Sequence, residues 1–193
     1  MCGFAFGACF VACRAGGSSE LRKVPGALAQ PFHPDASCPV TIDTPPLQPA
    51  IHVPIGTAIE WDSNPPSSGE HYPVWAAFGE YTSPVPRGYY VHDLEHGAIV
   101  FLYNCVDAGC PDVVAALRAA SDAIPDDGLC AGQGTRVRTV ITPDPLLDAP
   151  VAAAAWGWTY VAECADLQTL TAFAIAHYGQ GAETLCTPGA TQF

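Results

Sequence analysis

The chain has few charged residues, and few of those are basic. Lysine and arginine together number 7 against 19 aspartates and glutamates, which gives a formal net charge of −12. Proteins that bind nucleic acid neutralise its phosphates with a basic surface, so this composition predicts no nucleic-acid partner. The hydrophobic content of 49% is too high for a disordered chain. A length of 193 residues suits one domain with a substantial core.

The sequence also lacks an apolar run long enough to span a bilayer, a fixed-period repeat and a C-x-x-C motif. The apolar stretch 2–13 is too short for a span and is typical of the end of a secretory signal. Within it, the segment from Phe10 to Cys13 resembles a lipobox with Cys13 as the lipidated residue, and residues 14–37 follow as a tether. We expect an exported protein of the periplasm or cell surface, held to the membrane by a lipid anchor. A translation start upstream of Met1 would account for the missing basic residues of the signal.

Beyond Cys13 the chain has an even number of cysteines, which in an exported protein predicts a disulfide framework. The six residues are Cys38, Cys105, Cys110, Cys130, Cys164 and Cys186. Many connectivities are open to six cysteines. Short separations favour Cys105 with Cys110 and Cys164 with Cys186, without fixing either pair. The absence of C-x-x-C favours three disulfides over a thiolate metal site.

The distribution of apolar and turn residues predicts one compact α+β domain over residues 38–193, with a small mixed sheet of about four to six strands. The 19 prolines and 18 glycines gather in turns, and residues 62–90 read as a long loop rich in proline and aromatic side chains. Strands are predicted at residues 40–42, 50–53, 58–61, 98–103, 136–142 and 151–161. Two helices are predicted, at residues 111–122 and 166–177.

Two imidazoles and a carboxylate lie close together at His92, Glu95 and His96, in a chain with only 6 histidines. A spacing of four places His92 and His96 on one face of either a helix or a strand. Gly97 and the apolar run after it leave little room for a helix. Convergent imidazoles with a carboxylate nearby are typical ligands of zinc or copper.

A second run, from Asn64 to Tyr72, carries His71 on a turn, and His52 lies farther upstream. Functional groups are often found on such turn segments. We therefore expect His71, His92 and His96 to lie within about 6 Å of one another, close enough to share one ion with bonds near 2 Å. His52 and Glu95 complete the predicted ligand set. The predicted cofactor is a divalent metal, copper or zinc, and the residues do not distinguish the two.

These motifs, in this order, resemble the bacterial family known as domain of unknown function 3105. The resemblance rests on His52-Val53 with Gly56, the run from Asn64 to His71, the run from His92 to Tyr103, Thr142 to Pro145, and Ala155 to Gly157. Glu70 stands where the family more usually has proline before His71. The resemblance implies no activity. It implies that one shared site contains His52, His71, His92, Glu95 and His96.

Two other functions fit parts of the pattern. His-x-x-Glu-His is formally a zinc-hydrolase motif with Glu95 as general base, but that chemistry needs a helix and a third ligand. Glu163 and Glu183 are candidates for that ligand without local support, and a serine nucleophile at Ser67 or Ser68 lacks the G-x-S-x-G elbow. A metal-free structural surface lipoprotein explains everything except the concentration of imidazoles. The sequence therefore favours metal binding over catalysis and names no substrate.

Overall fold

The central sheet forms around the most apolar run of the chain. In the computed structural model, which describes residues 38–105 and 110–193, strand β5 (Ile99–Tyr103) is buried along its whole length. It pairs in parallel with β6 (Thr139–Pro143) and antiparallel with β7 (Val151–Ala155). A strand with neighbours on both edges and cover on both faces has no polar side, which explains why its sequence does not alternate.

The other strands extend this sheet on either side. They are β1 (Val40–Asp43), β4 (Gly79–Glu80) and β8 (Trp158–Ala162), and the order across the sheet is β1-β8-β7-β5-β6-β4. A separate parallel pair consists of β2 (Ile51–His52) and β3 (Glu70–His71). The α+β class and the mixed sheet are thus confirmed.

In the described residues, three α-helices cover the two faces of the sheet. Alternate residues of β5 point to opposite faces, so Phe101 packs in one core cluster and Leu102 in the other. Burying each such side chain stabilises the fold by about 1.5–3 kcal/mol. On the Leu102 face lies α1 (Arg87–Glu95), and on the Phe101 face lie α2 (Pro111–Asp122) and α3 (Leu167–His177).

Helix α1 corrects the expectation that the segment before Gly97 leaves little room for a helix. Its residues from Gly88 to Glu95 are all buried, so it lacks the amphipathic pattern that identifies surface helices. Gly97, with a φ of 81°, ends the helix instead of preventing it. The N–H groups of Gly97 and Ala98 donate to the carbonyls of Leu94 and Asp93 at 2.9 and 3.0 Å. This is the Schellman motif of a helix C-terminus.

Two strand predictions are also corrected. In the described part of the chain, residues 58–61 form no strand. Trp61 is held there by its side chain, whose ring N–H donates to the carbonyl of Glu70 at 3.0 Å. Residues 151–161 form two strands, β7 and β8, where one was predicted. Gly157, with a φ of 76°, makes the turn between them, and Ala155 lies opposite Trp158.

Three disulfides are present in the described residues, and two of them join distant parts of the chain. The pairs are Cys38–Cys164, Cys105–Cys110 and Cys130–Cys186, with Cα–Cα separations of 5.6, 6.1 and 5.2 Å. These separations are normal for a disulfide, and all six predicted cysteines are paired. The alternative pairing of Cys164 with Cys186 does not occur. Because disulfides persist in oxidising compartments, they indicate such an environment for this protein.

None of the helices in residues 38–105 and 110–193 is long and apolar enough to cross a membrane. The signal-like segment, Cys13 and the tether lie outside the described residues. The lipid anchor therefore stays a prediction.

Removing the bridge between Cys38 and Cys164 should destabilise the domain strongly. Its sequence separation is 126, against 5 for Cys105–Cys110, and the entropy that a disulfide removes from the unfolded chain grows with the logarithm of the loop. We expect the C38S/C164S variant to lose about 3 kcal/mol more unfolding free energy than the matched C105S/C110S variant, measured by urea denaturation. Equal losses in the two variants would contradict this.

Candidate metal centre

Three histidines and a glutamate converge where the β2–β3 pair meets helix α1. His52 and His71 are register partners in the parallel strands, and their ring centroids lie 4.8 Å apart. His92 and Glu95 share one face of α1, being three residues apart. The His92 ring lies 4.7 Å from that of His52 and 4.8 Å from that of His71. Each of the four residues offers a ligand atom within 4.8 Å of the others.

The carboxylate of Glu95 lies at the centre of this group. Its Oε2 is 3.0 Å from Nε2 of His71 and 3.7 Å from Nε2 of both His52 and His92. Ligands bound to one ion at about 2 Å with tetrahedral angles lie roughly 3.3 Å apart. The observed separations are therefore close to those of a set of ligands around a single ion. Glu95, His71 and His92 are buried, whereas the His52 side chain is 52% exposed.

Hydrogen bonds at Nδ1 of His71 and of His92 determine that Nε2 of each ring faces Glu95. Nδ1 of His71 lies 2.8 Å from the carbonyl of Gly69, and Nδ1 of His92 lies 2.6 Å from the carbonyl of Tyr72. Because a carbonyl only accepts, each Nδ1 carries a proton and donates it, which leaves a lone pair on Nε2 of the neutral ring. Backbone carbonyls orient metal-binding histidines in this way.

The proline-rich run before His71 supplies one of these carbonyls. Gly69 has a φ of 108°, which favours glycine, and a Cβ there would collide with the side chain of Gln48. At the start of the run, Asn64 donates to the carbonyl of Leu146 at 2.9 Å and accepts from Arg87 at 2.8 Å. The run is thus a structural support that fixes the backbone around His71.

Burial keeps the rings of His92 and His96 neutral. It lowers the pKa of His92 to about 3, and the neighbouring imidazoles act in the same direction against the hydrogen bond to Tyr72. Burial also lowers the pKa of His96 to about 4, although the carboxylate of Glu183 opposes this. At neutral pH His92 and His96 therefore present lone pairs, His92 toward the Glu95 carboxylate and His96 toward that of Glu183. Such acceptors repel one another unless a cation, either a proton or a metal ion, lies among them.

His96 belongs to a second, adjoining group. Its buried ring packs 4.7 Å from the ring of Trp75 and 4.6 Å from that of His92. Its Nε2 is 3.6 Å from the carboxylate of Glu183, and Glu95, His96 and Glu183 each offer a ligand atom within 4.8 Å of the others. The structure thus brings together four of the predicted ligands and places His96 beside them.

The sequence suggests Glu183 only as a third ligand of the hydrolase motif. No nearby motif predicts that it lies beside His96. It lies in an irregular segment after α3, held by backbone contacts. The N–H of Glu183 donates to the carbonyl of Glu95, and that of Gly179 to the carbonyl of Gly97, both at 2.8 Å. A Cβ at Gly181 would collide with the Glu95 carbonyl. The two glycines at 179 and 181 are the sequence feature that permits this close approach.

A buried arginine holds the end of helix α1. Arg138 donates through Nη1 to the carbonyl of His96 and pairs with Asp127 at 2.9 Å. A positive charge at a helix C-terminus is favourable because of the helix dipole, and the carboxylate of Asp127 compensates the buried guanidinium. The last turn of α1, which carries His92 and Glu95, is therefore fixed in place.

The comparison with known families identifies the chain. The model of the family described as "Protein of unknown function (DUF3105)" matches residues 52–192, and the chain belongs to this family. The match begins at His52, so it includes every residue of both groups of candidate ligands. Searches of curated proteins and of solved structures found no match.

Acidification should destabilise the metal-free protein through His92. Its pKa is about 3 in the folded protein against 6.5 as the reference value, so its contribution to stability is complete above pH 6.5 and is lost as the pH falls toward 3. In the presence of a chelator, wild type should lose on the order of 2–3 kcal/mol more unfolding free energy between pH 7 and pH 4 than His92→Gln. Urea denaturation at each pH measures this. The same pH dependence in both proteins would rule out His92 as the cause.

Proposed function

We propose that this member of the family binds a divalent transition-metal ion, zinc or copper, through His52, His71, His92 and Glu95. The observation that carries the proposal is the convergence of three Nε2 atoms on one carboxylate oxygen, at 3.0 to 3.7 Å. Two of these nitrogens have their lone pairs directed inward by hydrogen bonds from Nδ1 to backbone carbonyls. Metal-ligating histidines are typically arranged in this way.

A proton alone would satisfy only part of this geometry. A proton shared between His71 and Glu95 fits their 3.0 Å separation. Nε2 of His52 and Nε2 of His92 lie 3.7 Å from the same oxygen, which is too far for a hydrogen bond. An ion with bonds of about 2 Å can reach all four ligands after small side-chain shifts. This favours a metal site over a metal-free structural protein.

The ligand types limit which ions fit. Three imidazoles and one carboxylate suit zinc or copper by softness, whereas calcium and magnesium prefer oxygen ligands throughout. All six cysteines from Cys38 onward are in disulfides, so no thiolate from them competes for the ion. The half-exposed His52 gives solvent a route to the site, which favours metal exchange and thus a role in metal handling.

The proposal extends to where the protein acts. The lipobox-like segment ending at Cys13 supports export and a lipid anchor in the membrane. The disulfides support the oxidising side of that membrane, either the periplasm or the cell surface. A metal site there would meet ions before they enter the cell.

A zinc-dependent hydrolase is the second candidate, because one objection to it no longer holds. His92 and Glu95 lie in helix α1 and His96 caps it, so the His-x-x-Glu-His motif is helical after all. The geometry still opposes this role. Oε2 of Glu95 lies 3.0 Å from His71 within the ligand group, whereas a general base must be free to face a water molecule.

Elemental analysis tests metal binding directly. Protein purified without added metal and dialysed should carry about one equivalent of zinc or copper, and His92→Ala should lose most of it. His177→Ala is the matched control, because His177 stacks on Trp158 at 4.1 Å and belongs to neither ligand group. Chelation should lower the melting temperature of wild type but not of His92→Ala, since the ion stabilises only the folded state that binds it. A wild type that carries no metal and ignores added zinc and copper would leave only the structural interpretation.

Assays of zinc-loaded protein test the hydrolase. We expect no turnover of peptide or ester substrates above that of free zinc, because Glu95 is engaged as a ligand. Turnover by wild type that Glu95→Gln abolishes, while His177→Ala retains it, would favour the hydrolase over simple metal binding.

A further inference from the structure

We propose that Glu95, His96 and Glu183 form a second, weaker subsite for a divalent cation, with the Glu95 carboxylate shared between the two ions. This inference rests on the proposed function, because Glu95 is also a ligand of the first site. The family description assigns Glu183 no role, and the sequence names it only as a third ligand of the hydrolase motif without local support.

The first support is the state of His96. The residue is 1% exposed, and its Nδ1 has no hydrogen-bond partner in the described residues. Its Nε2 lies 3.6 Å from Oε2 of Glu183, beyond a normal hydrogen bond but close to the separation of two ligands on one ion. A buried imidazole without a close polar partner is unfavourable, and a cation bound at Nε2 would give the ring one, while Nδ1 still has none among the described residues.

The second support is the position of Glu95 between the two groups. The ion-pair distances from Glu95 to the imidazoles of the first site are all measured to Oε2. A carboxylate has two oxygens, so one residue can serve two ions. The rings of His92 and His96 lie 4.6 Å apart, which makes the two groups neighbours. Paired metal sites typically hold their ions about 3.5–4 Å apart.

The third support is that the backbone places Glu183 at this position. The hydrogen bond from Glu183 N–H to the Glu95 carbonyl and the Cys130–Cys186 disulfide hold the segment on both sides of its side chain. Two carboxylates are thereby brought to one imidazole. Their mutual repulsion falls when a cation lies between them.

The ligand set defines the class of ion. One imidazole and two carboxylates are harder ligands than three imidazoles and a carboxylate, so the subsite suits zinc or manganese better than copper. Three protein ligands leave at least one coordination position for water, as in open metal sites. Because the Glu183 side chain is 61% exposed, binding here should be weaker and more readily reversed than at the first site.

The test is calorimetric titration of full-length, chelator-treated protein with zinc chloride alone. Wild type should bind two equivalents, one tight and one weaker. Glu183→Gln should keep the tight equivalent and lose affinity for the weaker one by at least about tenfold. Glu163→Gln is the matched control, because Glu163 is exposed and belongs to neither ligand group, and it should bind like wild type. His96→Gln should reproduce the effect of Glu183→Gln.

The outcomes separate the two proposals. A wild type that binds a single tight equivalent, or a Glu183→Gln variant that keeps both, would overturn the second subsite while the first stands. A wild type that binds no zinc in this titration, and that carries no zinc or copper in the elemental analysis, would overturn the proposed function itself. Circular dichroism checks that each variant is folded, which an exposed Glu-to-Gln change should not disturb.

Discussion

A carboxylate buried among imidazoles is the constraint on which this site depends. Glu95 is 5% exposed, and a buried charge without a partner costs several kcal/mol. The chain has only 7 basic residues, and the two arginines nearest to this part of the fold are engaged elsewhere, Arg87 with Asp144 and Arg138 with Asp127, each at 2.9 Å. The groups around Glu95 are instead imidazoles, and burial keeps that of His92 neutral. A cation at this point, either a proton shared between His71 and Glu95 or a metal ion, would therefore stabilise the folded protein.

The rest of the fold holds these groups together. A two-residue parallel ladder such as β2–β3 has little stability alone, so it depends on its surroundings. The N–H of Tyr72 donates to the carbonyl of Gly88 at 2.9 Å, and the Tyr72 ring occupies the space that a Cβ at Gly88 would need. The strand that carries His71 thus rests directly on helix α1. Because α1 is buried and fixed at its end by Arg138, the ligands from both elements keep one arrangement.

Local chemistry was predictable from the sequence, and long-range contacts were not. Short stretches of sequence were enough to predict β5 from its apolar run and α2 and α3 from their apolar patterns. The concentration of imidazoles was equally visible. Helix α1 was not predicted, because a helix that is buried on all sides carries no amphipathic stripe. The disulfide partners depended on strand order: the antiparallel register that places Val40 opposite Ala162 continues to Cys38 opposite Cys164. The position of Glu183 beside His96 depends on the segment after α3 returning past Gly97, and no local sequence pattern predicts that return.

The candidate ligands differ in how firmly they are held, and this difference bears on what the proposed site would do with an ion. His71 and His92 are buried and each is held by a backbone carbonyl, so neither ring can turn away without breaking a hydrogen bond. His52 comes from a short exposed strand, and its side chain is half exposed. Moving it toward solvent breaks few contacts and opens one coordination position. Structural metal sites are closed by four firmly held protein ligands, whereas sites that exchange an ion or accept a further ligand keep a position open. Three fixed groups with one movable histidine would belong to the second kind, so the proposed site fits metal handling better than an ion held only for stability.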